Sequence, residues 1–253
     1  MRSNRLRDLW RDGKGCDNFW LCLPGGLNAE IAAHQGWDSI LIDMQHGQIG
    51  YEAMCAMLVA VSTTEAVPLV RVPWNAPGDV MRALDAGAYG VMCPSVETVE
   101  EAKAFVGACR YAPLGYRSIG PRRAMLYAGA DYVQHANTTV LSIVQIETKK
   151  GLDNVDAIAS VEGLDMLYIG PSDLGLSLGR AVKADQTDPV VVAAIDKVLA
   201  SAKAHGIRAG IFCKSVAYAR AMAAKGFDLV TVESDEGLLM LGAERLAKFR
   251  ETL

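Results

Sequence analysis

The chain has 253 residues, 51% hydrophobic and 21% charged, and its 29 acidic and 25 basic side chains leave a formal charge of −4. That apolar content excludes a disordered chain, and the slight negative charge excludes a broad polyanion-binding face, so neither nucleic acid nor a membrane is expected as partner. No apolar run approaches the ~20 residues of a membrane span, the charged N-terminus leads into no secretory apolar core, and the six cysteines form no CxxC pair; they read as buried free thiols, and a cytoplasmic protein is expected.

Taken in chain order, a short helix is predicted over 4–11, then eight short apolar runs at 19–23, 39–43, 69–72, 90–93, 140–146, 166–169, 209–213 and 229–232. Nearly continuous apolar runs of this length are what parallel strands covered on both faces require. Helical spacing fills the intervals at 52–61, 77–86, 98–109, 190–205 and 215–225. Gly36, Gly87, Gly206 and Gly226 follow helical stretches and precede strands, as helix C-caps do. Eight β/α repeats in a chain of this size predict an α/β fold, one (β/α)8 TIM barrel over residues 1–253, with an additional N-terminal helix that closes the barrel bottom or packs beside it. The rival, a doubly wound open sheet, lacks the GxGxxG expected after an early strand. Two long intervals, 111–137 and 171–189, are expected to be loops at the catalytic mouth.

On such a barrel the informative residues stand just past the strand C-termini. SILIDMQHG presents Asp43 and His46, PLVRVPW presents Arg71, SIVQIETKKG presents Gln145 and Glu147, and LYIGPSDLG presents Ser172 and Asp173. Glu147 and Asp173 follow adjacent strands, so their carboxylates can approach one cation, and an oxygen-rich shell suits Mg²⁺, Mn²⁺ or Co²⁺. The alternative is that each caps a helix. Asp43, three residues before His46, is placed to orient the imidazole for proton transfer; the alternative is that His46 caps the next helix. Arg71 must pair, with a carboxylate or enolate oxygen of a ligand or in an ion pair with Glu147 or Asp85.

Together LIDMQHG, LVRVP, LDAGAYGVMCPSV, GYRSIGPRRA, VQIET and IGPSDLGLSLG, in this order, resemble the class II, metal-dependent pyruvate aldolases of the 4-hydroxy-2-oxoheptanedioate aldolase family, in the citrate lyase and phosphoenolpyruvate-utilising barrel superfamily. The resemblance covers nearly the whole chain. It implies a carbon–carbon lyase that reversibly cleaves 4-hydroxy-2-oxoacids to pyruvate or hydroxypyruvate and an aldehyde, through an enolate stabilised by a divalent cation. It implies that Glu147 and Asp173 bind the metal and that Gln145 supports the 2-oxoacid. Arg71 would hold the enolate oxygen, and the His46–Asp43 dyad would move protons. Asp85 would join that histidine network across a subunit interface. The N–H groups of the helix opened by Ser172 and Asp173 would receive the substrate carboxylate. Gln45 departs from the pattern, since many relatives carry an acidic residue there. A homo-oligomer is also implied, a hexamer built as a trimer of dimers, with the last helix, 237–250, on a neighbour.

Lys149 and Lys150 read as solvated charges, not as Schiff-base lysines. In the loop 111–137, Arg117, Arg122 and Arg123 are more than solubility requires, and Arg122 or Arg123 is expected to bind a hydroxyl or carboxylate of the aldehyde. Two other functions compete: an acyl-CoA thioester lyase of the malyl- or citramalyl-CoA type on the same barrel, and a non-catalytic 2-oxoacid-binding barrel. The first usually needs a longer chain, and the second needs no proton shuttle.

Overall fold

A computed structural model describes residues 1–252. Its elements run α1 (Arg5–Arg11), β1 (Cys16–Leu21), α2 (Gly26–Ala33), β2 (Ser39–Asp43), α3 (Tyr51–Val61), β3 (Val67–Arg71), α4 (Pro77–Asp85), β4 (Gly90–Cys93) and α5 (Val99–Cys109). They continue with α6 (Arg122–Ala128), α7 (Tyr132–Thr139), β5 (Leu141–Ile146), α8 (Lys149–Asp153), α9 (Val155–Ala159), β6 (Met166–Ile169) and α10 (Pro171–Ser177). Last come α11 (Pro189–Ala204), β7 (Arg208–Cys213), α12 (Val216–Lys225), β8 (Leu229–Ser234), α13 (Asp235–Ala247) and a 3₁₀ turn over Lys248–Thr252. The eight strands pair in sequence order, all parallel, and β8 closes on β1. The sequence expectation of a (β/α)8 barrel therefore holds. No helix among the described residues is long and apolar enough to cross a membrane.

The strands are buried on both faces, which explains their unbroken apolar runs: β2, β3, β4, β5 and β6 are buried at every position. The barrel interior also carries polar side chains that satisfy one another. Tyr168 on β6 donates its hydroxyl to Thr231 on β8 at 2.6 Å, Asn18 donates to the same Thr231 at 2.9 Å, and Ser39 donates to Asn18 at 2.9 Å. Since β6 and β8 are not neighbours, the first of these bonds crosses the interior.

Helix starts follow their local chemistry. Thr98 and Glu101 form a capping box on α5, Asp188 caps α11, and Ser215 and Ser234 cap α12 and α13. The N-terminal helix closes the barrel bottom. Asn4 bonds the carbonyls of Tyr89 and Thr139, which precede β4 and β5, and Trp10 bonds that of Asp228, which precedes β8.

Of the two long intervals, only one lies at the mouth. The 111–137 segment follows α5 and leads into β5, so it sits on the N-terminal rim, beside the chain start: Arg2 N–H bonds Ala128 O at 2.7 Å, and the N-terminal ammonium meets Asp131 at 2.8 Å. The 171–189 segment follows β6 and does lie at the mouth. Gln186 pins it, donating to Lys183 O at 2.7 Å and Pro171 O at 3.2 Å. Asp185 ties it to the start of α12 by accepting from Lys214 and Ser215 N–H at 2.8 and 3.1 Å.

Candidate active site

The strand C-termini surround a cavity of about 210 Å³ whose wall includes Trp20, Asp43, His46, Arg71, Gln145, Tyr168, Ser172, Asp173 and Phe212. Six of the predicted site residues thus meet at one mouth, with Glu147 bonded to one of them, Gln145.

The β2–β3 register sets Asp43 beside Arg71. Arg71 donates Nε–H to Asp43 Oδ1 at 2.9 Å and Nη2–H to Oδ2 at 2.6 Å, a two-point pair buried at both ends. Trp20 lies under it: the Arg71 guanidinium carbon is 4.7 Å from the indole centroid, and the indole N–H reaches Asp43 Oδ2 at 3.2 Å. Burial alone would raise the Asp43 pKa, but the Arg71 bonds and charge, with Trp20 and the Gln45 N–H, hold it below the usual value.

This revises the expected Asp43–His46 dyad. Asp43 accepts the backbone N–H of His46 at 3.3 Å, while its oxygens are committed to Arg71 and Trp20. Among the described residues the His46 imidazole, exposed at the mouth, has no hydrogen-bond partner. The partner of Arg71 is accordingly Asp43, not Glu147 or Asp85.

Glu147 directly follows β5 and is buried. Its Oε1 accepts the Ser95 N–H at 2.9 Å and the Ser95 hydroxyl at 2.7 Å, and its Oε2 accepts the Gln145 amide. Burial raises the Glu147 pKa; the Ser95 bond opposes this, the nearby Asp173 charge adds to it, and Arg71 opposes it. Gly170 permits the close packing, since a Cβ there would come within 2.6 Å of both Gln145 Nε2 and Glu147 Oε2. Asp173 lies in the first turn of α10 but caps nothing: the N-cap is Gly170, without a side-chain bond. The capping reading fails for Glu147 as well, because Thr148 caps α8. Neither carboxylate is spent on a helix cap; Glu147 is held by Ser95 and Gln145.

Among the described residues no group of three or more His, Cys, Asp or Glu could hold a metal ion. Glu147 and Asp173 are hard oxygen donors whose chemistry would fit a cation of the Mg²⁺ or Mn²⁺ kind, with water and substrate needed for the remaining positions.

Asp85, Arg122 and Arg123 are not at this mouth. Asp85 ends α4 on the N-terminal rim and pairs with buried Arg117 at 2.7 Å. Arg123 donates to Ala86 O at 2.8 Å, Leu58 O at 3.0 Å and Ser62 Oγ at 3.1 Å, so it closes the C-terminal ends of α3 and α4. Arg122 is exposed beside Asp85 on a rim pocket. The expectation that these arginines face the aldehyde within one chain is overturned, because the loop that carries them joins a helix to a strand. Sequence reasoning also passed over Ser95, which offers no ionisable group, and Trp20, which reads as core. It missed Asp235 too, which binds Cys22 N–H at 2.8 Å, Leu23 N–H at 3.1 Å and Asn28 at 2.6 Å, joining the β1 and β8 ends.

Residues 19–241 match the family model described as HpcH/HpaI aldolase/citrate lyase. The chain belongs to this family. It is 43% identical over 96% of its length, and 97% of the relative's, to a hydroxypyruvate/pyruvate aldolase of Rhizorhabdus wittichii. It is 37% identical to a 5-keto-4-deoxy-D-glucarate aldolase of Shigella dysenteriae, over 92% of this chain and 90% of that one. Among solved structures, an HpcH/HpaI aldolase/citrate lyase family protein from Burkholderia cenocepacia superposes with a TM-score of 0.90 at 35% identity, covering 98% of this chain and 100% of the other. The family places this chain among the aldolases, which are carbon–carbon lyases.

Proposed function

We propose that the mouth catalyses reversible aldol addition of pyruvate or hydroxypyruvate to an aldehyde, with Glu147 and Asp173 holding a divalent metal ion. The observation that carries this reading is the convergence of Arg71, Gln145, Asp173 and His46 on one cavity, with Glu147 hydrogen-bonded to Gln145. When bound, the cation would supply Lewis-acid stabilisation of negative charge on the 2-oxoacid.

The residues divide the remaining work. Asp43 occupies the Nε/Nη2 edge of Arg71, while Nη1 has only a long 3.4 Å contact to Gln145. The Nη1 group, with that long contact as its one partner among the described residues, would bind the enolate oxygen. The backbone N–H groups of Ser172 and Asp173 open α10 at the cavity and suit the substrate carboxylate.

Proton transfer falls to His46 by elimination. The Cys22 thiol is pushed up to about 12 by burial and by Asp43 and Asp235. The Tyr168 hydroxyl is also pushed up by burial and already donates to Thr231. Asp43 is ionised and tied to Arg71. Lys149 and Lys150 pair outward with Asp153 and Glu97 at 2.6 and 3.0 Å, so neither offers a Schiff-base amine.

Exchange of the pyruvate methyl protons in deuterated water, followed by NMR with and without chelator, tests the reading. Exchange that survives full metal stripping overturns it, and turnover confined to acyl-CoA thioesters would assign a different lyase.

A homo-oligomer, a hexamer of three dimers, completes this proposal. On α13 only Asp235 is buried, and Leu238, Leu239, Met240 and Leu241 are exposed, an apolar face suited to a neighbouring copy. In such an assembly Asp85 would serve the site of another copy. Light scattering paired with exchange assays on dilution checks this; a fully active monomer would refute it.

A further inference from the structure

Ser95 follows β4 with φ +51°, in the left-handed region that a non-glycine residue occupies only under backbone strain. This conformation turns both of its donors onto one atom. The Ser95 N–H and hydroxyl reach Glu147 Oε1 at 2.9 and 2.7 Å. The next residue is tied to the same strand end, since Val96 N–H bonds Gln145 O at 3.2 Å. On the other oxygen, Oε2 accepts the Gln145 amide. A carboxylate has about four acceptor positions, two on each oxygen. Ser95 fills both on Oε1 and Gln145 fills one on Oε2, which leaves Glu147 a single open position.

We propose that Ser95 is a positioning residue that limits Glu147 to one coordinating oxygen and thereby selects the cation. The inference rests on the reading that Glu147 and Asp173 hold a divalent ion. Mg²⁺ and Mn²⁺ suit octahedral shells of single oxygens, whereas Ca²⁺ takes about six to eight oxygens and often binds a carboxylate through both. With Oε1 committed to Ser95, the second oxygen that Ca²⁺ would use is withheld, and the small octahedral ions are favoured. Losing the hydroxyl loosens the carboxylate and releases one of the two positions on Oε1.

Calorimetric titration of the metal-free full-length protein with Mn²⁺ and, separately, Ca²⁺ tests this in wild type, Ser95→Ala, Ser95→Gly and Glu147→Gln. Partners of metal ligands typically contribute about 10–100-fold to affinity. Both Ser95 variants should therefore weaken Mn²⁺ by at least ~10-fold and narrow the Mn²⁺/Ca²⁺ preference by about the same factor. A role confined to folding would lower the melting temperature of the metal-free protein and leave that preference unchanged. Ser95→Gly keeps the N–H bond and removes the strain, so a loss in Ser95→Ala that Ser95→Gly restores would place the effect in the backbone and overturn the inference. An unchanged preference in both variants would overturn it as well. Wild-type Mn²⁺ affinity in Glu147→Gln would sink the cation reading itself. If Glu147→Gln loses the ion while both Ser95 variants keep wild-type preference, only the role of Ser95 is lost.

Discussion

Asp43→Asn should destabilise the protein by about 3 kcal/mol, at the lower end of the ~3–5 kcal/mol typical when one partner of a buried ion pair is removed. The Asp43 and Arg71 side chains are 1% and 8% exposed and joined by bonds of 2.9 and 2.6 Å. Asparagine keeps one carbonyl oxygen, which can still accept from Arg71 Nε and the Gln45 N–H, so part of the geometry survives. The charge does not survive, and the guanidinium is left buried over Trp20 without a counterion. Its opening to the cavity lets water reach one edge, which keeps the loss from the top of the range. Urea unfolding of Asp43→Asn, Arg71→Met and the double variant gives the coupling directly, and contacting residues of this kind couple by roughly 0.5–3 kcal/mol. pH supplies a second check. The Asp43 pKa is depressed in the folded state, so its stabilisation is present above the unfolded value of about 3.9 and is lost as pH falls through the folded value. Wild type should therefore lose this increment only in strong acid, and Asp43→Asn should lack it throughout. Additive single variants, or a loss below ~1 kcal/mol in Asp43→Asn, would refute a buried, coupled pair.

His46→Ala should slow pyruvate proton exchange by about 10²–10⁴-fold with an unchanged melting temperature, because the side chain is exposed; a rate within a few-fold of wild type would remove His46 from the shuttle. The pKa of Glu147 is raised, first by burial, and only the ionised carboxylate ligates, so Mn²⁺ affinity measured by calorimetry should fall on acidification from above the ordinary glutamate value of about 4.3. Affinity that stays flat down to that value would contradict the assignment. Arg123→Ala should lower stability by about 1–2 kcal/mol through its lost bonds to the α3 and α4 ends, while pyruvate exchange stays at the wild-type rate; slowed exchange would contradict this purely structural role.

The barrel was legible because burial on both faces leaves unbroken apolar runs. The runs at 39–43, 90–93 and 166–169 coincide with β2, β4 and β6. The apolar run places the start of β1 at 19, whereas the strand starts at Cys16. Asp17 and Asn18 break the apolar run, yet Asn18 is buried against Thr231 inside the barrel. The site was legible wherever an ionisable residue ended a strand or stood just past it: Arg71 ends β3, Glu147 follows β5, and Asp173 opens the helix after β6. Pairing was not legible. Asp43 stands three residues from His46 in sequence, but it stands opposite Arg71 across the β2–β3 register, and two short charge-assisted bonds outweigh proximity along the chain. Ser95 was invisible because its contribution depends on a backbone angle.

The misplaced arginine loop has a physical lesson of its own. In a (β/α)8 chain every connection from helix to strand returns to the N-terminal rim, so the end of the barrel is set by what precedes a loop, whatever its length or charge. The 111–137 segment follows α5 and uses its cations for structure: Arg117 is buried between Asp85 and Tyr132, at 2.7 and 3.0 Å, and Arg123 closes two helix ends. The mouth of a single chain therefore has Arg71 as the guanidinium of its cavity wall, paired with Asp43 and, on the proposed reading, engaged with the donor. The rest of the wall toward β1, β7 and β8 is Trp20, Cys22, Phe212 and Ser234. On the proposed reading, the wall that would meet the aldehyde within one chain is largely uncharged, so an acidic aldehyde would be recognised through His46 or through a rim that another copy would bring.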